Sequence, residues 1–175
     1  MPTDSMGAST PGAMVTTLPE GSASIASANS NALPNGTRFG EFEVTGVVGE
    51  GGFGIVYLAR DLSLERTVAI KEYIPSSMAS RSGGLQVVVT ATRHTKTFHS
   101  GLRSFVNEAR LLAQFDHPHL VKVYRFWEAN GTAYMVMPFY EGITLKQILK
   151  GRSEPPDEAW LLRLLVPIFD VLQLI

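Results

Sequence analysis

The glycine run Gly49-Glu50-Gly51-Gly52-Phe53-Gly54, the cation of Lys71 and the carboxylate of Glu108 are the residues whose types and order suggest chemistry. Closely spaced glycines leave backbone N–H groups unobstructed, and a loop of that kind folds readily over phosphates. A lysine downstream supplies a compact charge for phosphate oxygens. A carboxylate on a helix that covers the lysine's strand would hold the ammonium in place, because a buried charge without a partner is costly. These types in this order suggest the gripping of a polyphosphate.

Two designs share such glycines. A dinucleotide fingerprint opens a helix whose N-terminus takes the pyrophosphate. Here Ile55-Val56-Tyr57-Leu58 follows, β-branched and aromatic, so the run joins two strands. That sets a Rossmann oxidoreductase aside and leaves an ordinary glycine-rich hairpin as the bland alternative. By strand alternation Lys71 shares a face with Ala69, while Val68 and Ile70 point to the other side. A small alanine beside a cation suits a flat adenine next to a triphosphate. On the expected helix, Phe105, Ala109 and Leu112 define the buried stripe, and Glu108 lies on or beside it. A solvated strand lysine and a boundary glutamate reaching to water are the alternatives for this pair.

The elements that must position these groups follow from periodicity and turn signals. Strands are expected over 42–48, 55–59 and 67–73, then a helix over 102–114. Two strands follow over 120–127 and 133–137, around the Asn130-Gly131 hairpin turn. A short helix is expected over 144–150 and a longer one over 156–175, with Pro156 near its first turn. The order predicts an α+β fold: one antiparallel five-stranded sheet with a helix packed on it, followed by further helices. Residues 1–37 are rich in Ser, Ala, Gly, Thr and Pro and bury too little apolar surface to offset ordering entropy, so disorder is expected there.

Composition narrows the classes. A length of 175 residues suggests about one domain, and 45% apolar content suffices for a core. A net charge of −1 gives no footprint for nucleic acid or an anionic membrane. The chain has no cysteine, which excludes disulfides and thiolate metal sites and fits a cytoplasmic setting. No secretory leader is evident, and the apolar stretch from Trp160 is too short to span and carries Arg163, Pro167 and Asp170. No membrane segment is therefore expected. His94, His99, His117 and His119 lack the companions of a usual ligand set, so no metal site is expected.

The glycine run, Val68-Ala69-Ile70-Lys71, the helix glutamate Glu108 and Ala133-Tyr134-Met135-Val136-Met137 together resemble the small lobe of eukaryotic-type protein kinases. Leu33-Pro34-Asn35-Gly36-Thr37 and Lys71-Glu72-Tyr73-Ile74-Pro75 resemble bacterial serine/threonine kinases. The resemblance runs from about Pro34 to the last residue. It implies a small ATP-binding lobe over 38–137, and a hinge with the start of a large lobe over 138–175. It also implies that the backbone of Gly49, Glu50, Gly51, Gly52, Phe53 and Gly54 covers ATP phosphates, with Phe53 at the loop tip. Lys71 would contact the α- and β-phosphates and be held by Glu108. Val48, Val56 and Ala69 would form the upper adenine wall, Met137 the gatekeeper, and Pro138, Phe139 and Tyr140 the hinge, where adenine bonds to backbone groups. Leu112 and Val123 would belong to the hydrophobic spine.

Two departures accompany the resemblance. The interval from Lys71 to Glu108 is about twice that usual in kinases, which implies an insert near 76–100, read here as an extra strand or flap with few core anchors. The chain also carries no H-R-D or D-F-G triplet. The expectation is a kinase's nucleotide-binding part, truncated before the catalytic half. It would bind ATP and serve a protein substrate through the full kinase, with Mg²⁺ expected only where the large lobe is present. The chain alone would be inactive. A non-catalytic nucleotide-binding or regulatory fragment is the rival reading.

Overall fold

The computed structural model describes residues 31–174. Its centre is a six-stranded antiparallel sheet in the order β1-β2-β3-β4-β8-β7. The strands are β1 (Arg38–Phe39), β2 (Phe42–Gly51), β3 (Gly54–Asp61), β4 (Arg66–Tyr73), β7 (Arg125–Ala129) and β8 (Thr132–Pro138). The sequence pattern gives five of these; β1 adds the sixth. A separate hairpin of β5 (Ala79–Arg81) and β6 (Val87–Val89) follows β4, and a single 3₁₀ turn leads into α1 (Thr95–Leu112). The short α2 (Leu145–Lys150) and the longer α3 (Glu158–Leu174) come last.

The sheet buries residues on both faces. Register sets Val56 opposite Lys71 and Leu58 opposite Ala69, with Met135 and Met137 opposite Lys71 and Ala69 on the far side of β4. Side chains directly opposite share a face, so these six lie together. Helix α1 covers this front face through buried Phe98, Phe105, Val106 and Ala109, and Tyr73 meets the rings of Phe98 and Phe105 at 5.3 and 5.9 Å. The back face carries Tyr57, Ile70, Glu72 and Tyr134, all fully buried. Phe39 and Trp127 close over it, their rings 4.7 and 5.2 Å from that of Tyr134. Cover on each side is why β8, central in the sheet, reads as a continuous apolar run from Ala133 to Met137.

Four expectations need correction. Residues 1–30 of the predicted disordered segment lie outside the described residues, but 31–37 are anchored to the fold. Leu33 is 3% exposed, and Gly36 N donates to Val44 O at 2.7 Å. One buried leucine and the β2 pairing overcome an otherwise polar composition. The strand expected from 120 begins only at Arg125. Tyr124 N donates to Val136 O at 2.8 Å, out of the Arg125–Val136 register, and the next position that would face Pro138 meets a residue with no N–H to extend the ladder. Helix α1 begins at Thr95 rather than 102. Its first turns are polar apart from Phe98, whose carbonyl accepts from Tyr73 Oη at 3.2 Å.

The insert is a packed hairpin with more anchors than the sequence suggests: Ala79 is fully buried, Val87 is 4% exposed and Arg81 reaches into the back face. The tip of the β7–β8 hairpin seats against it. Asn130 and Gly131 both have positive φ (55° and 73°), the primed turn that the Asn-Gly pair favours. Val87 N donates to Asn130 O at 2.8 Å, and a Cβ at Gly131 would come within 2.6 Å of Val87 O.

Candidate functional site

Strands β2 and β3 project the glycine run as a long hairpin, with Gly51 paired to Gly54 and Phe53 at the tip, 82% exposed. A Cβ at Gly49, Gly51 or Gly52 would meet nothing within 4 Å, so the backbone of the loop is open to a ligand. Gly54 is different. A Cβ there would lie 1.9 Å from the carbonyl oxygen of Glu72, because β3 and β4 converge at that point. Val48 is the extra residue of a β-bulge between Val47 and Gly49 and is 50% exposed. Glu50 is exposed beside it.

Lys71 stands in β4 opposite Val56, and its Nζ donates to Glu108 Oε1 at 2.9 Å. The ammonium also lies 5.3 Å from the centre of the Phe105 ring, so one turn of α1 supplies both an anion and an aromatic face. Side-chain exposure is 32% for Lys71 and 48% for Glu108. A pair that open contributes little to stability, typically about 0–1 kcal/mol. Its effect is geometric: it fixes the ammonium of Lys71, with its remaining donors available. Glu108 thus sits beside the buried stripe of α1, not within it.

Ala69 is 5% exposed and lies between Leu58 and Met137 across the sheet. Met137 is partly buried, Pro138 ends β8 opposite Val68, and Tyr140, past the strand, is 67% exposed. Leu112 and Val123 are partly buried against the core. The structure therefore brings Val56, Ala69, Lys71, Glu108 and Met137 onto one side of the sheet, below the glycine hairpin. Among the described residues no group of three His, Cys, Asp or Glu side chains could hold a metal ion. The His117 and His119 rings are 5.4 Å apart with no carboxylate joining them.

The sequence reading missed Arg81 and the depth of Glu72. Glu72 is fully buried and pairs with Arg81 at 2.6 Å. The only signal available was a charged residue at a position that alternation assigns to the back face.

The protein kinase domain profile matches residues 42–173. The chain belongs to the protein kinase domain family. Its curated kinase relatives include the serine/threonine-protein kinase PknD of Protochlamydia amoebophila, 34% identical over 122 residues, and PrkC of Bacillus subtilis, 32% identical over 121 residues. Each alignment covers 69% of this chain but only 10% and 16% of those kinases, so the chain spans a small part of their length. A solved structure described as the apo form of PpkA-294 is 56% identical with a TM-score of 0.74, over 81% of this chain and 50% of that one. The Mycobacterium tuberculosis PknI kinase domain matches in fold, at 22% identity and a TM-score of 0.57, over 78% of this chain and 48% of that one. The described residues are accordingly a kinase small lobe with the first helices that follow it. No helix among them is long and apolar enough to cross a membrane.

Proposed function

We propose that this chain is the ATP-binding portion of a serine/threonine protein kinase, which transfers a phosphoryl group from ATP to protein hydroxyls. The observation that carries the reading is the Lys71–Glu108 ion pair at 2.9 Å beneath an open glycine hairpin. Backbone N–H groups of Gly49 to Gly54 cover the phosphates, and Lys71 binds the α- and β-phosphate oxygens. Val48, Val56 and Ala69 line the adenine from above, Met137 closes the back, and the backbone of Pro138 and Tyr140 takes the base edge. Pro138 keeps its carbonyl and lacks only an N–H that this pose does not use.

The residues described fit ATP but offer no Mg²⁺ ligand set. The base and the metal-holding residues of phosphoryl transfer have no counterpart among these 175 residues, which contain neither H-R-D nor D-F-G. The chain by itself therefore binds nucleotide without turning it over. Action on serine and threonine is supported by the names of the bacterial relatives. A cytoplasmic setting is supported by the absence of cysteine.

Titration calorimetry with ATP tests this. The expected result is weak binding, with Kd above about 100 μM, where each tenfold is about 1.4 kcal/mol. Lys71→Met should weaken it further. Binding that is indifferent to Lys71 would refute the assignment, and phosphoryl transfer abolished by Lys71→Met would refute the claim that these residues alone are inactive.

A further inference from the structure

The nucleotide reading leaves one buried charged cluster unused, and that cluster joins the insert to the strand of Lys71. Glu72 follows Lys71 in β4 and points to the opposite, back face. There Tyr57 Oη donates to Glu72 Oε2 at 2.7 Å and Arg81 Nη2 donates to the same oxygen at 2.6 Å. Arg81, its side chain 8% exposed, directs its other donors at backbone: Nε to Asn31 O at 2.9 Å and Nη1 to Leu85 O at 2.6 Å. Its own N–H donates to Asn31 Oδ1 at 2.9 Å, and Leu33 N donates to Tyr57 Oη at 3.1 Å. One guanidinium thus ties together β4, the residues ahead of β1 and the loop of the β5–β6 hairpin.

The other end of that hairpin leads into α1. Thr90 donates to Met78 O through N and Oγ1, at 2.9 and 3.1 Å. His94 N donates to Ala91 O at 2.9 Å, and α1 starts at the next residue. Phe98, in its first turns, lies under Tyr73 of β4. Glu108 is carried by this same helix. The front-face ion pair and the back-face cluster are therefore two ends of one connection.

We propose that Arg81 is a positioning residue: by clamping the insert hairpin to Glu72 behind β4, it fixes the start of α1 and so keeps Glu108 within reach of Lys71 in front. Its effect on nucleotide binding rests on the reading above; its effect on α1 does not. Lysine is a poor substitute, because a point charge cannot serve the three directions of the guanidinium fork. Replacing a buried ion pair by apolar groups of similar volume is commonly neutral for stability, which separates positioning from mere folding.

The test compares the full chain with Arg81→Lys and with the double variant Arg81→Met/Glu72→Met. Hydrogen exchange is read in α1, in the β5–β6 hairpin and in β8 as a reference, beside thermal melting and calorimetric titration with ATP. The double variant should keep its melting temperature and β8 protection, while α1 exchanges roughly tenfold faster and the ATP Kd rises about tenfold. Arg81→Lys should show the same loss in α1 to a smaller degree, and it decides alone if the double variant does not fold. Unchanged α1 exchange with only the hairpin quickened would overturn the proposal. So would the unfolding of both variants, which would make the pair a stability element. A parent chain that binds no ATP would sink the nucleotide reading and leave the exchange measurements to decide this one.

Discussion

Replacing Gly54 with alanine places a methyl group 1.9 Å from the carbonyl oxygen of Glu72, 3.1 Å from its carbonyl carbon and 3.2 Å from Ile74 N. All three are backbone atoms, so no side chain can rotate aside. Real Cβ atoms essentially never come closer than 3.0 Å, so the strands must part by at least 3.0 less 1.9, or about 1.1 Å. Gly54 pairs with Tyr73, two residues from the Val56–Lys71 pair, so the displacement opens the ladder beside Lys71. Overpacking of this kind costs about 1–3 kcal/mol. Two stretched ladder bonds add about 1 kcal/mol each. A total of roughly 3–5 kcal/mol lowers the melting temperature by roughly 6–20 °C in a domain of this size. Gly51→Ala and Gly52→Ala, with nothing within 4 Å of the new Cβ, are the controls. They should stay within about 0.5 kcal/mol of the parent. Urea and thermal denaturation followed by circular dichroism measure all three. A Gly54→Ala chain that melts within about 2 °C of the parent, or a Gly51→Ala chain that falls as far, would refute the reasoning.

Burial acts to raise the pKa of Asp61, but the Leu64 N–H and the Arg66 guanidinium outweigh it and hold the carboxyl below its usual value. A lowered folded pKa means the stabilisation is present above the unfolded value, about 4, and is lost as pH falls through the folded one. Asp61→Asn should therefore flatten the acid limb of stability against pH in urea titrations; an unchanged limb would contradict this. In α2, Thr144 Oγ1 accepts from Gln147 N at 3.2 Å while Gln147 Oε1 accepts from Thr144 N at 2.7 Å. Thr144→Ala should cost about 1 kcal/mol, visible as faster exchange in α2 and not as a global change in melting. In α3, Leu162, Phe169 and Leu172 are 51%, 55% and 62% exposed. Changing all three to glutamate should make the chain more monomeric in light scattering, and equal association would show that this face is not the cause.

The strands that carry the site were legible because each has its own local signal: Val68-Ala69-Ile70 before Lys71, β-branched residues after the glycines, Asn130-Gly131 between β7 and β8. The Lys71–Glu108 pairing was legible as well, since helical spacing places Glu108 beside Phe105 and Ala109. What stayed hidden depends on contacts far apart in the chain. Asn31 and Arg81 are 50 residues apart and meet only in the fold, so nothing local marks either as structural. The start of α1 was masked because Phe98 is the lone buried side chain in its first turns, and one apolar residue defines no period. The early end of pairing at Arg125 depends on the facing end of β8, where Tyr124 N shifts to Val136 O and Pro138 follows, residues that a reading of 120–127 alone does not consult.

The strand order carries a consequence for how the chain is made. β4 lies between β3 and β8, and β8 ends at Pro138, 65 residues after Tyr73 (138 less 73). At roughly 5–20 residues per second on the ribosome, β4 waits about 3–13 s with one ladder edge open. That edge belongs to a strand with buried Val68, Ala69 and Ile70 and is a template for pairing with other nascent chains. The intervening residues fold locally in the meantime, the β5–β6 hairpin and α1 both closing through short-range contacts. Helix α1 covers the front face of β4 and Arg81 of the hairpin reaches Glu72 behind it before the missing neighbour emerges. Synonymous codons that slow translation between Tyr73 and Thr132 should therefore lower the soluble yield of this chain more than the same codons placed after Pro138.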